Sequence, residues 1–328
     1  MKLVPTHLLS AIAGICMSLA TAATPALAQD VTYLLPAPGS LPAFAPWMVA
    51  QQRGYFKAEG LNVTFQVARG GVDVAKQVGA GNAVIGGAIG DTPILVRANG
   101  VPVKAVAVLG GRSLTQLVIN KDKGVNTVKD LKGKVVTTMA FQDTTFFAFL
   151  GMLATQGMTK DDVNAQAVGP VNIWKLFAAG EAAAMAAVPE WTYYAKTQAP
   201  NIKMEVIPSD TMFKSMAQAI VVSDETIQKN PELVRKLVRA TLKGMKAVMD
   251  DPAAAAADYV KAVPEHAGKE AEMTAILKAY AELVYPGQKV LGEMDEPRLS
   301  SLQDFYLAQG IIQQKANVKD LYTNQFIQ

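Results

Sequence analysis

Pro189-Glu190-Trp191 sets a carboxylate beside an indole. The carboxylate can accept hydrogen bonds from an amine or a protonated ring, and the indole can stack on a flat one. Packing of Trp191 against Tyr193 or Tyr194 is the competing reading. Gly110-Gly111-Arg112-Ser113 carries a guanidinium whose fork matches a planar carboxylate or sulfonate, unless Arg112 is simply a surface residue. Phe141-Gln142-Asp143-Thr144-Thr145 and Gly90-Asp91-Thr92 each put an acid at a helix start, with the hydroxyls of Thr144, Thr145 and Thr92 close by. Asp91 and Asp143 are read first as helix caps. In the Pro/Gly loop at 36–44, Ser40 offers a hydroxyl and Phe44 either stacks on a ligand or packs in the core; Asn172 and Trp174 are weaker candidates. This set mixes one cation with carboxylates and aromatics. It suits a polar, flat or zwitterionic organic solute better than nitrate or sulfate.

Covalent and metal chemistry has little to work with. Cys16 is the only cysteine, and His7 and His266 are the only histidines. The first segment reads as an export signal: Lys2 gives a positive start, 8–20 is uncharged and apolar, and Ala26-Leu27-Ala28 is a cleavage site. Removal of residues 1–28 takes away Cys16 and His7, so no disulfide, thiolate nucleophile, metal site or cofactor is expected. His266 lies in a polar stretch and is expected to be a solvated surface residue, which disfavours a Ser-His-Asp triad. Ile15 before Cys16 does not fit a lipidation signal. The 31 lysines and arginines are scattered against 28 acids, a formal net charge of +3, so neither nucleic acid nor a membrane surface is expected as partner.

The elements that would hold these loops alternate regularly. Strands are expected at 31–35, 61–68, 83–88 and 103–109, and helices at 46–54, 72–78 and from Asp91 with Pro93 in its first turn. That rhythm implies a doubly wound sheet. It repeats with strands at 117–120, 135–138, 165–168, 183–187 and 204–207, and helices at 143–156 and 173–179. Two similar segments bracket the second unit, Gln116-Leu117-Val118-Ile119 and Gln218-Ala219-Ile220-Val221. We read them as crossing strands. From Asn230-Pro231 onward the period is helical, with Leu233, Val234, Leu237, Val238 and Leu242 on one face. Further helices are expected at 252–263, 269–283 and 297–308, the tail returning to pack on the first unit. Ligands of such sheets bind at strand C-termini and helix N-termini, which is where the candidate residues lie.

Arg53-Gly54-Tyr55-Phe56-Lys57-Ala58-Glu59-Gly60-Leu61-Asn62-Val63 resembles a conserved segment of the sulfonate, nitrate, taurine and thiamine-pyrimidine binding proteins. Residues 80–87, the Asp130-Leu131-Lys132-Gly133-Lys134 stretch and the 305–311 segment with Gly310 resemble that family in the same order. The resemblance implies an α/β, two-lobed periplasmic binding protein of type II, each lobe a doubly wound mixed sheet with helices on both faces, and a helical C-terminal tail. Lobe one is expected at 29–112 plus 223–328 and lobe two at 113–222. The implied function is capture of a small solute in the cleft between lobes, for delivery to the permease subunits of an ATP-binding-cassette importer by a monomeric periplasmic protein. Sulfonates, pyrimidine-type heterocycles and aromatic acids all stay open as the solute. The alternatives are a ligand-sensing partner of a membrane receptor and an exported enzyme. Two departures matter. Gly180-Glu181-Ala182-Ala183-Ala184 lacks the family's acid spacing, and Gln142-Asp143-Thr144-Thr145 stands where some anion binders have a glycine-serine turn. A carboxylate there disfavours a simple anion. Pyrimidine synthases of this fold use a cysteine-rich motif that the mature chain would lack.

Overall fold

The computed structural model describes Met1 and residues 28–327, the side chain of Thr144 excepted. The expected leader, with Cys16, falls outside the described residues. Ten strands are present among the described residues: β1 Gln29–Leu35, β2 Leu61–Val67, β3 Ile85–Ile89, β4 Val103–Val108, β5 Gln116–Asn120, β6 Val135–Thr138, β7 Asn164–Ala167, β8 Ala184–Ala187, β9 Met204–Pro208 and β10 Gln218–Ser223. They form two five-stranded sheets, ordered β2-β1-β3-β10-β4 and β7-β6-β8-β5-β9.

Each sheet is mixed, for one topological reason. The strands joined through helices, β1 with β2 and β3, and β6 with β7 and β8, pair in parallel. The strand that crosses between lobes enters its sheet against that direction. β5 is antiparallel to β8 and β9, and β10 is antiparallel to β3 and β4. The chain is back in the first sheet by Gln218. The sheet change therefore precedes the 222/223 boundary expected from the sequence.

Burial follows position in the sheet. Central β3, β5 and β10 are buried at every residue, hence their unbroken apolar or small-residue runs. Edge strand β2 alternates, burying Leu61 and Val63 and exposing Asn62 and Thr64. The helix Pro231–Asp250 buries the expected stripe against the helix Ala45–Gln52. Gly244 permits the crossing, because a Cβ there would come within 1.9 Å of the Pro46 carbonyl oxygen.

Three expectations change. The helix Pro189–Gln198 was not foreseen. The tail packs on lobe one but also reaches lobe two, where Phe305 meets Phe213 with ring centroids 4.5 Å apart and Tyr306 meets Phe147 at 6.3 Å. His266 is buried rather than solvated: its Nε2 lies 2.7 Å from the Ser40 carbonyl oxygen and its ring stacks on Tyr259.

Candidate functional site

A cavity of about 50 Å3 lies between the lobes. Lobe one lines it with Pro36, Ala37, Leu41, Ala43 and Phe44 from the loop after β1, Gly71 from the start of the helix Gly71–Gly79, Ala88 and Ile89 from β3, and Gln218. Leu114, Met139, Asp143, Thr145, Val188, Glu190 and Trp191 complete it, nearly all from strand ends and helix starts of lobe two. A space this small holds no ring in this conformation, so a ring-sized solute needs the lobes to part. Larger depressions lie elsewhere among the described residues, two of them of about 470 and about 700 Å3. One lies beside Gly110-Gly111 under residues 287–298, the other between the Phe146–Leu150 stretch and Gln309 to Ile311.

Glu190 is fully buried at the first turn of its helix. Its Oε2 accepts the Tyr280 hydroxyl from the tail, and the Ala43 amide of lobe one faces the same carboxyl. Oε1 has no partner among the described residues. Burial pushes this acid up to about 7, against the opposing pull of the Tyr280 hydroxyl and the backbone amides. Tyr194, Tyr259, Tyr280 and Tyr285 surround it closely enough for its charge to raise each of them further.

Asp143 acts as the cap expected of it, accepting from the Thr145 amide at 2.9 Å and the Thr145 hydroxyl at 2.6 Å. The Gly71 amide faces it across the cleft and favours its charged form. Burial raises its pKa, and these hydrogen bonds oppose the rise. The packing is close enough that a Cβ on Gly70 would sit 3.6 Å from Asp143 Oδ2.

Asp91 stands at a helix start but makes no side-chain cap. Its Oδ2 accepts the Tyr306 hydroxyl at 2.6 Å instead, and Oδ1 has no partner among the described residues. Burial raises Asp91 to about 6; the Tyr306 hydroxyl opposes this, and the nearby charge of Asp143 adds to it.

Of the residues singled out in the sequence, Phe44, Asp143, Thr145, Glu190 and Trp191 meet at this cavity. Phe44 also packs on Trp47, with centroids 5.8 Å apart. Trp191 is buried, yet its Nε1 has no hydrogen-bond partner among the described residues. Asp91 and Thr92 lie buried beside the cavity without lining it, Thr92 Oγ1 accepting from the Ile89 amide. Ser40 is half-buried and engaged with His266 through its carbonyl. Arg112 is exposed and donates to the Glu282 carbonyl at 3.1 Å, so its guanidinium is spent outside the cavity. Thr144 opens the helix Thr144–Ala154; its side chain is outside the described residues. Trp174 packs tilted against Tyr194, away from the cavity lining. Sequence reasoning missed Tyr280, whose only link to Glu190 is tertiary. It also read Gln218 as a strand residue alone, although the glutamine at a strand's entry was a signal.

Two mixed-sheet lobes, joined by crossing strands around a cavity lined from both, define the periplasmic-binding-protein fold. The chain belongs to the NMT1/THI5-like family, whose model matches residues 41–255. It is 27% identical over 296 residues to the riboflavin-binding protein RibY of Chloroflexus aurantiacus, covering 87% of this chain and 82% of that one. It is also 27% identical over 237 residues to a 4-amino-5-hydroxymethyl-2-methylpyrimidine phosphate synthase of Aspergillus parasiticus, covering 68% of each. Among solved structures, a Bordetella bronchiseptica protein matches with a TM-score of 0.75 at 20% identity, over 90% of this chain and 95% of that one. The alkanesulfonate-binding protein SsuA of Xanthomonas axonopodis pv. citri, bound to MOPS, matches with a TM-score of 0.67 at 16% identity, over 90% and 98%. At these identities the structural likeness concerns the fold. Among the described residues, no helix is long and apolar enough to cross a membrane.

Proposed function

We propose that this chain is the periplasmic solute-binding component of an ATP-binding-cassette importer and that it closes its lobes on a small, flat, polar organic molecule. One observation carries the reading: buried polar groups from both lobes, Glu190 with Trp191 on one side and Gln218 with the Ala43 and Gly71 amides on the other, converge on a cavity too small for a ring unless the lobes part. The relatives named for riboflavin binding and pyrimidine synthesis support a flat heterocyclic solute. The synthase-named relatives also make an enzymatic role the rival to test.

A thermal-shift screen of the purified protein across flavins, pyrimidines, aromatic amides, sulfonates, amino acids and aromatic acids tests this. A stabilising compound should also reduce the radius of gyration in solution scattering, and it should be recovered unchanged after long incubation. Chemical turnover of the bound compound, or the lack of any stabilising compound, would defeat the binding reading.

A further inference from the structure

Asp143 and Glu190 are rooted in lobe two, but their carboxylates end on lobe one. The amide of Gly71, the first residue of the helix Gly71–Gly79, faces Asp143 and favours its charged form. The amide of Ala43, in the turn Pro42–Phe44 that leads into the helix Ala45–Gln52, faces Glu190 and favours its charged form in the same way. Free amides at helix starts, with the dipole behind them, are where a carboxylate, sulfonate or phosphate would be held. In this cleft the chain's own acids already face them.

The rest of the lining gives an anion nothing in return. Among the described residues, no lysine, arginine or histidine lines the cavity, and Arg112 is engaged with the Glu282 carbonyl outside it. An incoming anion would lie beside Asp143 and Glu190, with Asp91 close enough to feel the charge of Asp143. Buried like charges without a counter-ion are strongly disfavoured. Two lining residues do carry buried polar atoms without a partner among the described residues: the acceptor Glu190 Oε1 and the donor Trp191 Nε1. They belong to adjacent residues, and leaving both unmatched in a closed cleft costs desolvation energy. A ligand edge that offers one N–H and one lone pair satisfies both.

We propose that the cleft selects a flat ring, neutral or cationic, with an amide-like or amidine-like edge that donates to Glu190 and accepts from Trp191, and that it rejects carboxylates and sulfonates. The inference rests on the solute-binding reading above and narrows it, setting this site apart from one built for sulfonates.

Four rings of nearly one size test it: benzamide, benzamidinium, benzoate and benzenesulfonate, each titrated at pH 7.5 by calorimetry or, for weak binders, by saturation-transfer NMR. Benzamide or benzamidinium should bind at least tenfold more tightly than either anion. Glu190→Gln should shrink the ratio of benzamidinium to benzoate affinity at least tenfold. Asp143→Asn, checked for folding by circular dichroism, should shrink it in the same direction if Glu190→Gln fails to fold. Benzoate or benzenesulfonate binding wild type as tightly as benzamide would overturn the proposal, and so would an unchanged ratio in both variants. If none of the four binds while another compound in the broad screen does, the ligand class assigned here is wrong and the solute-binding reading stands.

Discussion

Tyr280 donates its hydroxyl to Glu190, a residue ninety positions earlier in the chain and on the opposite lobe. The tail that completes lobe one therefore touches the floor of the cleft directly. It also shapes the ionisation of its most buried acid. No cation faces Glu190 in this contact; its neighbours are the phenols of Tyr194, Tyr259, Tyr280 and Tyr285.

Glu190 should make the protein less stable as pH rises. Its folded pKa, about 7, is above the ordinary 4.5, so the folded state holds the proton more tightly than the unfolded state. The resulting stability is fully present below about pH 4.5 and is lost progressively up to about pH 7. Glu190→Gln should remove that slope, whose total size is on the order of 3 kcal/mol. Urea unfolding of both proteins at intervals from pH 4.5 to 8 measures it. Parallel curves would show that Glu190 titrates normally.

Tyr306→Phe should destabilise the protein by about 1–3 kcal/mol, because it strips the one side-chain donor from a fully buried carboxylate. The Tyr306 hydroxyl holds Asp91 down, so its loss should raise Asp91 further above about 6. The variant should therefore lose relatively more stability at pH 8 than at pH 5. Melting temperatures at both values, compared with wild type, give the sign.

Trp191→Phe should separate packing from recognition. A benzene ring keeps part of the packing and the partnerless Nε1 donor disappears, but the smaller side chain leaves a cavity, so unfolding should cost about 1–3 kcal/mol. Affinity for a ring with an acceptor on its edge should fall about tenfold, the worth of one hydrogen bond at the upper end of its usual range. A large loss of stability with unchanged affinity would assign Trp191 to the core alone.

Gly244→Ala should cost about 1–3 kcal/mol or more, since the new methyl would overlap the Pro46 carbonyl oxygen and press on Ala50. The damage lies outside the cavity lining. Any solute found by screening should bind the folded variant with nearly normal affinity, which calorimetry below its melting range would show.

Much of this arrangement could be read along the chain, wherever a signal is local. The helix Pro231–Asp250 announces itself through a clean helical period after Asn230-Pro231. The crossing strands β5 and β10 do so through matching glutamine-led apolar runs, both buried throughout. Glu190 and Trp191 were reachable because they follow a strand end. The helix that carries them was not, because Pro189–Gln198 begins without a side-chain cap and buries mainly its first turn. Arg112 looked suited to an anion by type, but orientation decides its role, and the Glu282 carbonyl fixes that orientation. His266 looked solvated because its sequence neighbours are polar. The Ser40 carbonyl that buries it lies 226 residues away.

The place of β10 between β3 and β4 also orders events in time. Strands of the second sheet all fall within residues 116–208, so that lobe can complete itself as one continuous stretch. The first sheet cannot close until the chain has passed through the second lobe and delivered β10, the neighbour that both β3 and β4 pair with. Long-range pairing of this kind is slow. In a chain folding from its N-terminus, lobe two is the early unit and lobe one the late one. Through that interval β3 and β4 present unpaired backbone edges, open to strand addition by another molecule.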